Sequence, residues 1–509
     1  MSAFVPLPLG QRIPDRLHGI SCSLPTMRSV IGYEEKDPAI TSHLTSGYPR
    51  FVVHPLLRGV AAELARRDPA LAGRHLWLTA GPAAALALCA SLGQLGDVIS
   101  LTPCLAAVAL PADSSPELAN SARRYLQHTG AFASSRAAED WLVAAGLLPA
   151  AEPERLFLGT AAAADSHVCQ TLAAAYGHGL AAADVHLVPS GMAATYAAFQ
   201  AVNAVQAPLG RTRWIQLGWL YLDTIAILQK FTAAPAEDYL HHADVFDLAG
   251  LRRLLEAHRG KVAGLLAEVP TNPLIQTTDL PALSALCREH GVALVLDPTI
   301  ASPFNIDVLP HADLVANSLT KYTASEGDVI LGAVTTNPSS PLAAALRPAL
   351  AAASSLAALY PRDVARLAAQ IDATPALIAR INATTPRVVA FLTAHPRVTE
   401  VHWSGQKYSA SNYAALARSP VSVGSMISFS VSGKLDAFYD RLRLAKGPSF
   451  GLATSLICPF MFLAHYDLVT TETGRAELAA NGIAPELLRL SVGAEPAEDI
   501  IAALAEALA

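Results

Sequence analysis

Charge is scarce in this 509-residue chain: Asp, Glu, Lys and Arg make up 15% of it, and the formal net charge is -6. No run of like charges is long enough for a nucleic-acid arm or an acidic tail, so a small-molecule partner is expected. Cysteine is thin as well. Cys22, Cys89, Cys104, Cys169, Cys287 and Cys458 lie far apart, with no Cys-x-x-Cys pair and no neighbouring His spacing, which argues against a metal site and fits reduced thiols in a cytoplasmic protein. The opening residues lack a basic stretch followed by an apolar core, so neither a secretory signal nor a transit helix is expected. Long hydrophobic runs are also missing, with one exception to weigh. Trp77–Gly96 carries no charge and has about the length that a membrane span requires. Gly81-Pro82 and Gly93-Gln94 interrupt it, and weakly apolar alanine fills much of the rest, so a buried strand-turn-helix is expected instead.

What is present is an alternation of short apolar runs with Ala/Leu/Arg helical patterns, the mark of an α/β fold with a largely parallel sheet. Strands are predicted at Val185–Pro189, Trp214–Leu217, Val262–Val269, Val292–Leu296, Leu314–Ala316 and Val329–Val334, each bounded by Gly, Pro, Asn or Asp. Leu280–His290 reads as an amphipathic helix stopped by Gly291. Beyond a turn cluster at Asn337–Pro341, an Ala-rich helical stretch and strand-like segments near Val398–His402 and Met426–Val431 predict a smaller α+β domain. The division expected is an arm over residues 1-70, an α/β domain over 71-345 that includes an insertion at about 71-160, and a C-terminal α+β domain over 346-509.

The chemistry concentrates where two predicted strands end. Asp297 closes one, and Ser318-Leu-Thr-Lys321 closes the next. In open α/β sheets ligands bind outside the carboxyl ends of strands, so both groups are expected in one crevice. A pyridoxal-phosphate (PLP) site needs a lysine amine for a Schiff base, an acid on the pyridine nitrogen and donors for a phosphate. Lys321, Asp297, Ser318 and Thr320 supply them. Upstream, Ser190-Gly191-Met192 follows a strand and opens a helix, an arrangement suited to an anion. Taken singly, each of these residues reads as an ordinary turn, cap or surface position.

Together they resemble the Cys/Met-metabolism PLP enzymes, the group that holds cystathionine γ-synthase, the cystathionine lyases and methionine γ-lyase. The matching pieces are Tyr48-Pro-Arg50, Ser190-Gly-Met-Ala-Ala194, Glu268-Val-Pro-Thr-Asn-Pro273, Asp297-Pro-Thr299, Ser318-Leu-Thr-Lys-Tyr322 and Arg489-Leu-Ser-Val-Gly-Ala-Glu495, in the family's order. Gly19–Thr26, Gly32-Tyr-Glu-Glu35, Gly47–Phe51 and Gly447-Pro-Ser-Phe-Gly451 look most like the longer, fungal-type cystathionine γ-synthases. The resemblance implies PLP-dependent transferase fold type I, similar to aspartate aminotransferase, with a large mixed, mostly parallel sheet. It implies Lys321 as Schiff-base lysine and Cα base, and Gly191 and Met192 amides with Ser190, Ser318 and Thr320 around the phosphate. Asn272 would lie near the ring's phenolic oxygen, Asp297 on its nitrogen and Thr299 against the ring. Arg489 would hold the substrate α-carboxylate, with Ser449 and Tyr221 in the same pocket. Tyr48 and Arg50 would reach the phosphate of a neighbouring subunit, which implies a homodimer or homotetramer with shared sites.

The activity implied is γ-substitution on an O-acyl-L-homoserine through a vinylglycine ketimine, with cysteine or another S, N or C nucleophile; a PLP-dependent C–S lyase is the alternative. Three departures bear on this. About 140 residues separate Arg50 from Ser190, far more than in compact members. Gln216-Leu-Gly-Trp-Leu-Tyr-Leu222 stands where the family reads Tyr-Gly-Gly-Thr-Tyr-Arg, which leaves open whether Leu217, Trp219 or Tyr221 faces the ring and puts Leu222 in place of an arginine. Thr323–Asp328 replaces the usual text after the lysine and is expected to alter the cavity wall. A remote reading is a serine hydrolase, because Gly447–Gly451 fits Gly-x-Ser-x-Gly and His465 follows, although a charged helical pattern precedes Ser449.

Overall fold

The computed structural model describes residues 4-49 and 52-509. The arm forms a two-stranded antiparallel ribbon, β1 (Arg12–Ile13) with β2 (Ser21–Cys22), and then a helix over Met27–Glu34 opened by a Thr26/Ser29 capping box. It lies against the C-terminal part of its own chain: the Leu24 amide donates to Lys446 O at 2.9 Å, and Lys446 Nζ donates to Pro25 O at 2.7 Å.

The insertion is an antiparallel sheet of three strands, β3 (Leu76–Thr79), β4 (Asp97–Thr102) and β5 (Leu105–Ala109), with β5 in the middle. The uncharged segment near Trp77 resolves into β3, a turn at Gly81 with φ +89°, and a helix over Pro82–Ser91. Proline at the first helical position costs no hydrogen bond there, and glycine takes the left-handed turn at no steric cost. No helix among the described residues is long and apolar enough to cross a membrane.

The large sheet has seven strands: β6 (Val185–Val188), β7 (Arg213–Leu217), β8 (Tyr239–His242), β9 (Val262–Glu268), β10 (Ala293–Asp297), β11 (Leu314–Ser318) and β12 (Gly332–Thr336). Their order is β6-β12-β11-β10-β9-β7-β8, parallel from β8 to β11, with β12 antiparallel to both its neighbours. β9 is buried along its whole length, as a strand covered on both faces must be, which is why its sequence reads as an unbroken apolar run. The helix over Leu280–His290 ends with Gly291 in the left-handed conformation. One expected strand is displaced: the run predicted at Val329–Val334 pairs only from Gly332, because the main chain of Leu331 is bonded to Leu319 N–H and to the Thr320 hydroxyl.

The second sheet contains β13 (Val398–His402), β14 (Met426–Val431), β15 (Ala445–Lys446), β16 (Leu456–Pro459) and β17 (Leu488–Ser491), ordered β13-β14-β17-β16-β15. Helices over Thr374–Ala394 and Ala497–Leu508 cover it, and β17 presents Arg489 to the cleft between the sheets.

Candidate active site

β9, β10 and β11 run parallel and end together, with Glu268 paired in register to Asp297 and Ser318 closing the next strand. Because β12 reverses twice between β11 and β6, the helix that follows β6 also starts at this edge. Their ends open into a cavity of about 240 Å³ lined by Lys321, Asp297, Asn272, Ser190, Ser449 and Arg489, among others.

Lys321 is buried, and its Nζ donates to Tyr48 Oη and, at 3.0 Å, to Ser449 Oγ. Tyr48 Oη and Ser449 Oγ are themselves 2.8 Å apart. Ser449 sits at φ +105°, a left-handed backbone that a non-glycine residue adopts only when its surroundings impose it. Within the single chain described, Tyr48 stands at the cavity beside Lys321. The arm that carries it is bonded to the body of the chain, Ile20 N–H to Gly327 O at 3.0 Å and Ser21 Oγ to Pro448 O at 2.5 Å. Arg50 lies outside the described residues.

Asp297 Oδ1 accepts from Thr299 N–H at 2.8 Å and from the Thr299 hydroxyl, and Thr299 Oγ1 also accepts from Ser318 N–H at 3.0 Å. Burial pushes the Asp297 carboxyl up to about 6, and only the two Thr299 donors pull it back. A protonated pyridine nitrogen would supply the positive partner this carboxyl lacks. The phosphate end fits equally. A Cβ on Gly191 would lie 2.6 Å from Ser318 Cβ, so glycine is what lets the start of the helix Gly191–Gln206 approach the end of β11. Ser190 Oγ is spent on local bonds, accepting from Ala193 N–H and donating to Gly130 O, both at 3.0 Å. Thr320 lines the cavity, but its hydroxyl exchanges bonds with the Leu331 main chain at 3.3 Å. Gly191, Met192 and Ser318 line the same end. The residues present therefore fit PLP.

Arg489 is buried between the faces of Phe460 and Phe450, at 4.5 and 5.2 Å, and donates to Asn272 Oδ1 at 3.2 Å and to Ser449 O at 3.3 Å. Asn272 thus aligns the arginine. Of the three candidates left open by the sequence, Tyr221 lines the cavity, whereas Leu217 packs into the core beneath the sheet and Trp219 Nε1 donates to His465 at 3.3 Å. His465 is therefore not paired with Ser449, and no hydrolase geometry exists there.

Two features escaped the sequence reading. Glu268 is a fully buried carboxyl held well above the usual range by burial and by Asp297; it accepts from Tyr221 N–H at 2.5 Å. Its place in the quoted motif was the signal. The second is the insertion, which contributes Gln127, Gly130, Phe132 and Ser135 to the cavity wall. Nothing in its sequence announces this. Asp328, in the altered text after the lysine, also lines the cavity and accepts from Arg366 at 2.8 Å.

The family described as Cys/Met metabolism PLP-dependent enzyme matches residues 165-509. The chain belongs to this family. It is a PLP-dependent enzyme of γ-synthase/lyase type, with the α/β fold of its relatives. It is 41% identical over 96% of its length, and 95% of the relative's, to L-2-amino-4-chloropent-4-enoate dechlorinase/desaturase of Streptantibioticus cattleyicolor. It is 28% identical to cystathionine γ-synthase of Neurospora crassa, covering 99% of this chain and 98% of that one. Among solved structures, cystathionine γ-synthase from Xanthomonas oryzae pv. oryzae in complex with aminoacrylate and cysteine superposes with a TM-score of 0.55 at 26% identity, over 68% of this chain and 85% of that one.

Proposed function

We propose that this enzyme expels a leaving group from Cγ of an L-α-amino acid that carries one carboxylate, and that γ-elimination is its main outcome. The observation behind this is the supply of cations in the cavity. Among the described residues the arginines there are Arg489, which faces the α-carboxylate position, and Arg136, whose guanidinium is already engaged by Glu154 and Asp363 at 2.7 and 3.0 Å. Leu222, Phe460, Leu463 and Ala464 line the cavity elsewhere. A second carboxylate, such as that of a succinyl group or an incoming cysteine, would be desolvated there without a partner. The relative at 41% identity is named for a substrate with one carboxylate and chlorine on C4, which is Cγ.

When bound, PLP supplies the electron sink that acidifies Cα–H and then Cβ–H. Lys321 would anchor it, and the same Nζ is placed to move the Cα proton, held in position by Tyr48 Oη and Ser449 Oγ. Arg489, aligned by Asn272 and Ser449 O, would hold the substrate carboxylate in the same cavity as that amine. Asp297 would keep the pyridine nitrogen protonated. Tyr221, tied through its N–H to Glu268, forms part of the wall around the departing group.

The second reading is γ-substitution on O-acyl-L-homoserine by cysteine, favoured by likeness to cystathionine γ-synthase over nearly the whole chain. Incubating the PLP-loaded enzyme with L-2-amino-4-chloropent-4-enoate, O-acetyl-L-homoserine and O-succinyl-L-homoserine, each with and without cysteine, separates the two by product mass. The proposal expects release of the Cγ group without cysteine and little use of the succinyl ester. Turnover that requires cysteine and yields cystathionine overturns it in favour of the second reading.

A further inference from the structure

We propose that the insertion forms part of the cofactor's phosphate site, with Gly130 acting as a positioning residue that fixes Ser190 and, through it, the start of the helix that holds the phosphate. The inference rests on the reading of the Gly191 and Met192 amides as phosphate donors. It concerns a contact between the insertion and the large-sheet domain in which the arm takes no part.

Gly130 ends the insertion's helix Pro116–Thr129 in the left-handed conformation, at φ +66°. Its carbonyl accepts from Ser190 Oγ at 3.0 Å, and Ser190 is the residue that caps the helix Gly191–Gln206. The end of one helix is thus bonded to the start of another. The approach calls for glycine twice over: a Cβ there would stand 2.2 Å from Ser190 Oγ and 2.4 Å from Ala193 N, on a backbone that side chains rarely adopt.

This bond decides what Ser190 can do. A serine hydroxyl has one proton, and here it goes to Gly130 O while a lone pair takes Ala193 N–H at 3.0 Å. The hydroxyl is therefore occupied in setting the first helical turn and has no proton left for a phosphate. The Ala194 amide is taken by Ser190 O at 3.0 Å. The amides of Gly191 and Met192 have no acceptor one turn back within a helix, which leaves them as the donors for an anion. Both residues line the cavity.

Gly130 is itself held on both sides. Before it, Gln127 Nε2 donates to the buried Asp223 carboxylate at 2.7 Å, and Tyr125 packs on Phe231 at 6.0 Å, the ring that Tyr196 of the capped helix meets at 5.1 Å. After it, Ala131 O accepts from Ala80 N–H at 2.9 Å, just past the end of β3. The insertion's sheet and helix therefore hold Gly130 O in one place, and Ser190 is bonded to that place.

The test compares PLP with pyridoxal, which has the same ring and aldehyde without the phosphate, by visible absorbance as each is titrated into the cofactor-free full chain. Gly130→Ala crowds the contact, and Ser190→Gly removes the hydroxyl while keeping a residue accepted at a helix cap. Both are expected to lower the preference for PLP over pyridoxal by about 10-fold or more, with pyridoxal affinity within about 2-fold of the wild type. Where Gly130→Ala does not fold, Ser190→Gly decides. Gly146→Ala is the control, because it meets similar backbone strain in the insertion, at φ +72°, with nothing within 4 Å; its preference should match the wild type, and an equal drop there overturns the inference. Gly191→Ala tests the phosphate reading underneath. If it lowers the preference while Gly130→Ala and Ser190→Gly do not, the inference is overturned and the phosphate reading stands; if none of the three lowers it, both are overturned.

Discussion

The guanidinium of Arg136, in the insertion, donates at 2.9 Å to the main-chain carbonyl of Asp328, which closes the loop after Lys321. The same side chain is forked onto Glu154 and bonded to Asp363, so one buried cation joins the insertion, the lysine loop and the helix Pro361–Ala368. Replacing it with methionine strands buried carboxylates, a loss on the order of 3–5 kcal/mol. Thermal unfolding of Arg136→Met should shift down by many degrees. Arg387→Met, which removes an exposed pair with Glu498 that solvent screens, should leave the unfolding temperature nearly unchanged.

Acid should loosen the contact between the arm and the insertion at His18 and Glu139. Burial raises the Glu139 carboxyl, but His18, the Glu152 N–H and Arg362 together outweigh it and hold the group down at about 2. A carboxyl with a folded value below its unfolded one contributes stability that is present above the unfolded value and lost as pH falls toward the folded one. Melting temperature followed from pH 5 down to pH 2, roughly the window between those values, should fall more steeply for the wild type than for Glu139→Gln.

Asp297 works with the opposite sign. Its carboxyl is raised to about 6 by burial, so in the cofactor-free protein its contribution is present below the unfolded value and lost as pH rises through about 6. Cofactor-free Asp297→Asn should match or exceed the wild type in stability at neutral pH, by up to about 2 kcal/mol. Its PLP affinity and turnover should fall together, because the neutral amide does not hold a pyridinium. Calorimetry with and without PLP checks both halves.

Arg489→Lys keeps the charge but not the fork, and its amine does not span the Asn272 and Ser449 contacts in the same way. We expect kcat/KM to drop by about 10- to 1000-fold, mostly through KM. Steady-state kinetics on whichever substrate proves active measures it.

Leu222→Arg would place a cation where the cavity now has an aliphatic side chain. Use of O-succinyl-L-homoserine relative to O-acetyl-L-homoserine should rise by about 10-fold or more if the distal wall sets selectivity. An unchanged ratio would show that Leu222 does not select.

Much of the catalytic edge was legible because chemistry constrains it locally. β9 to β11 are continuous apolar runs that end in Glu268, Asp297 and Ser318, and the Gly291 stop follows from φ alone. The insertion was not legible, because its lining residues are ordinary Gln, Gly, Phe and Ser whose role arises only from where Arg136 and His18 pin it. Tyr48 was legible as a site residue but the course of its arm was not, since the bonds that hold the arm join residues hundreds of positions apart, as Ser21 joins Pro448. The choice among Leu217, Trp219 and Tyr221 likewise depended on His465, a partner that sequence does not bring near Trp219.

The most direct measurement is borohydride reduction of the PLP-loaded enzyme followed by peptide mass analysis, beside Lys321→Ala. The account expects a phosphopyridoxyl mass on the Lys321 peptide and, in Lys321→Ala, no visible cofactor band and a turnover loss of about 1000-fold or more. A label on another lysine, or a variant that keeps both band and turnover, would contradict it.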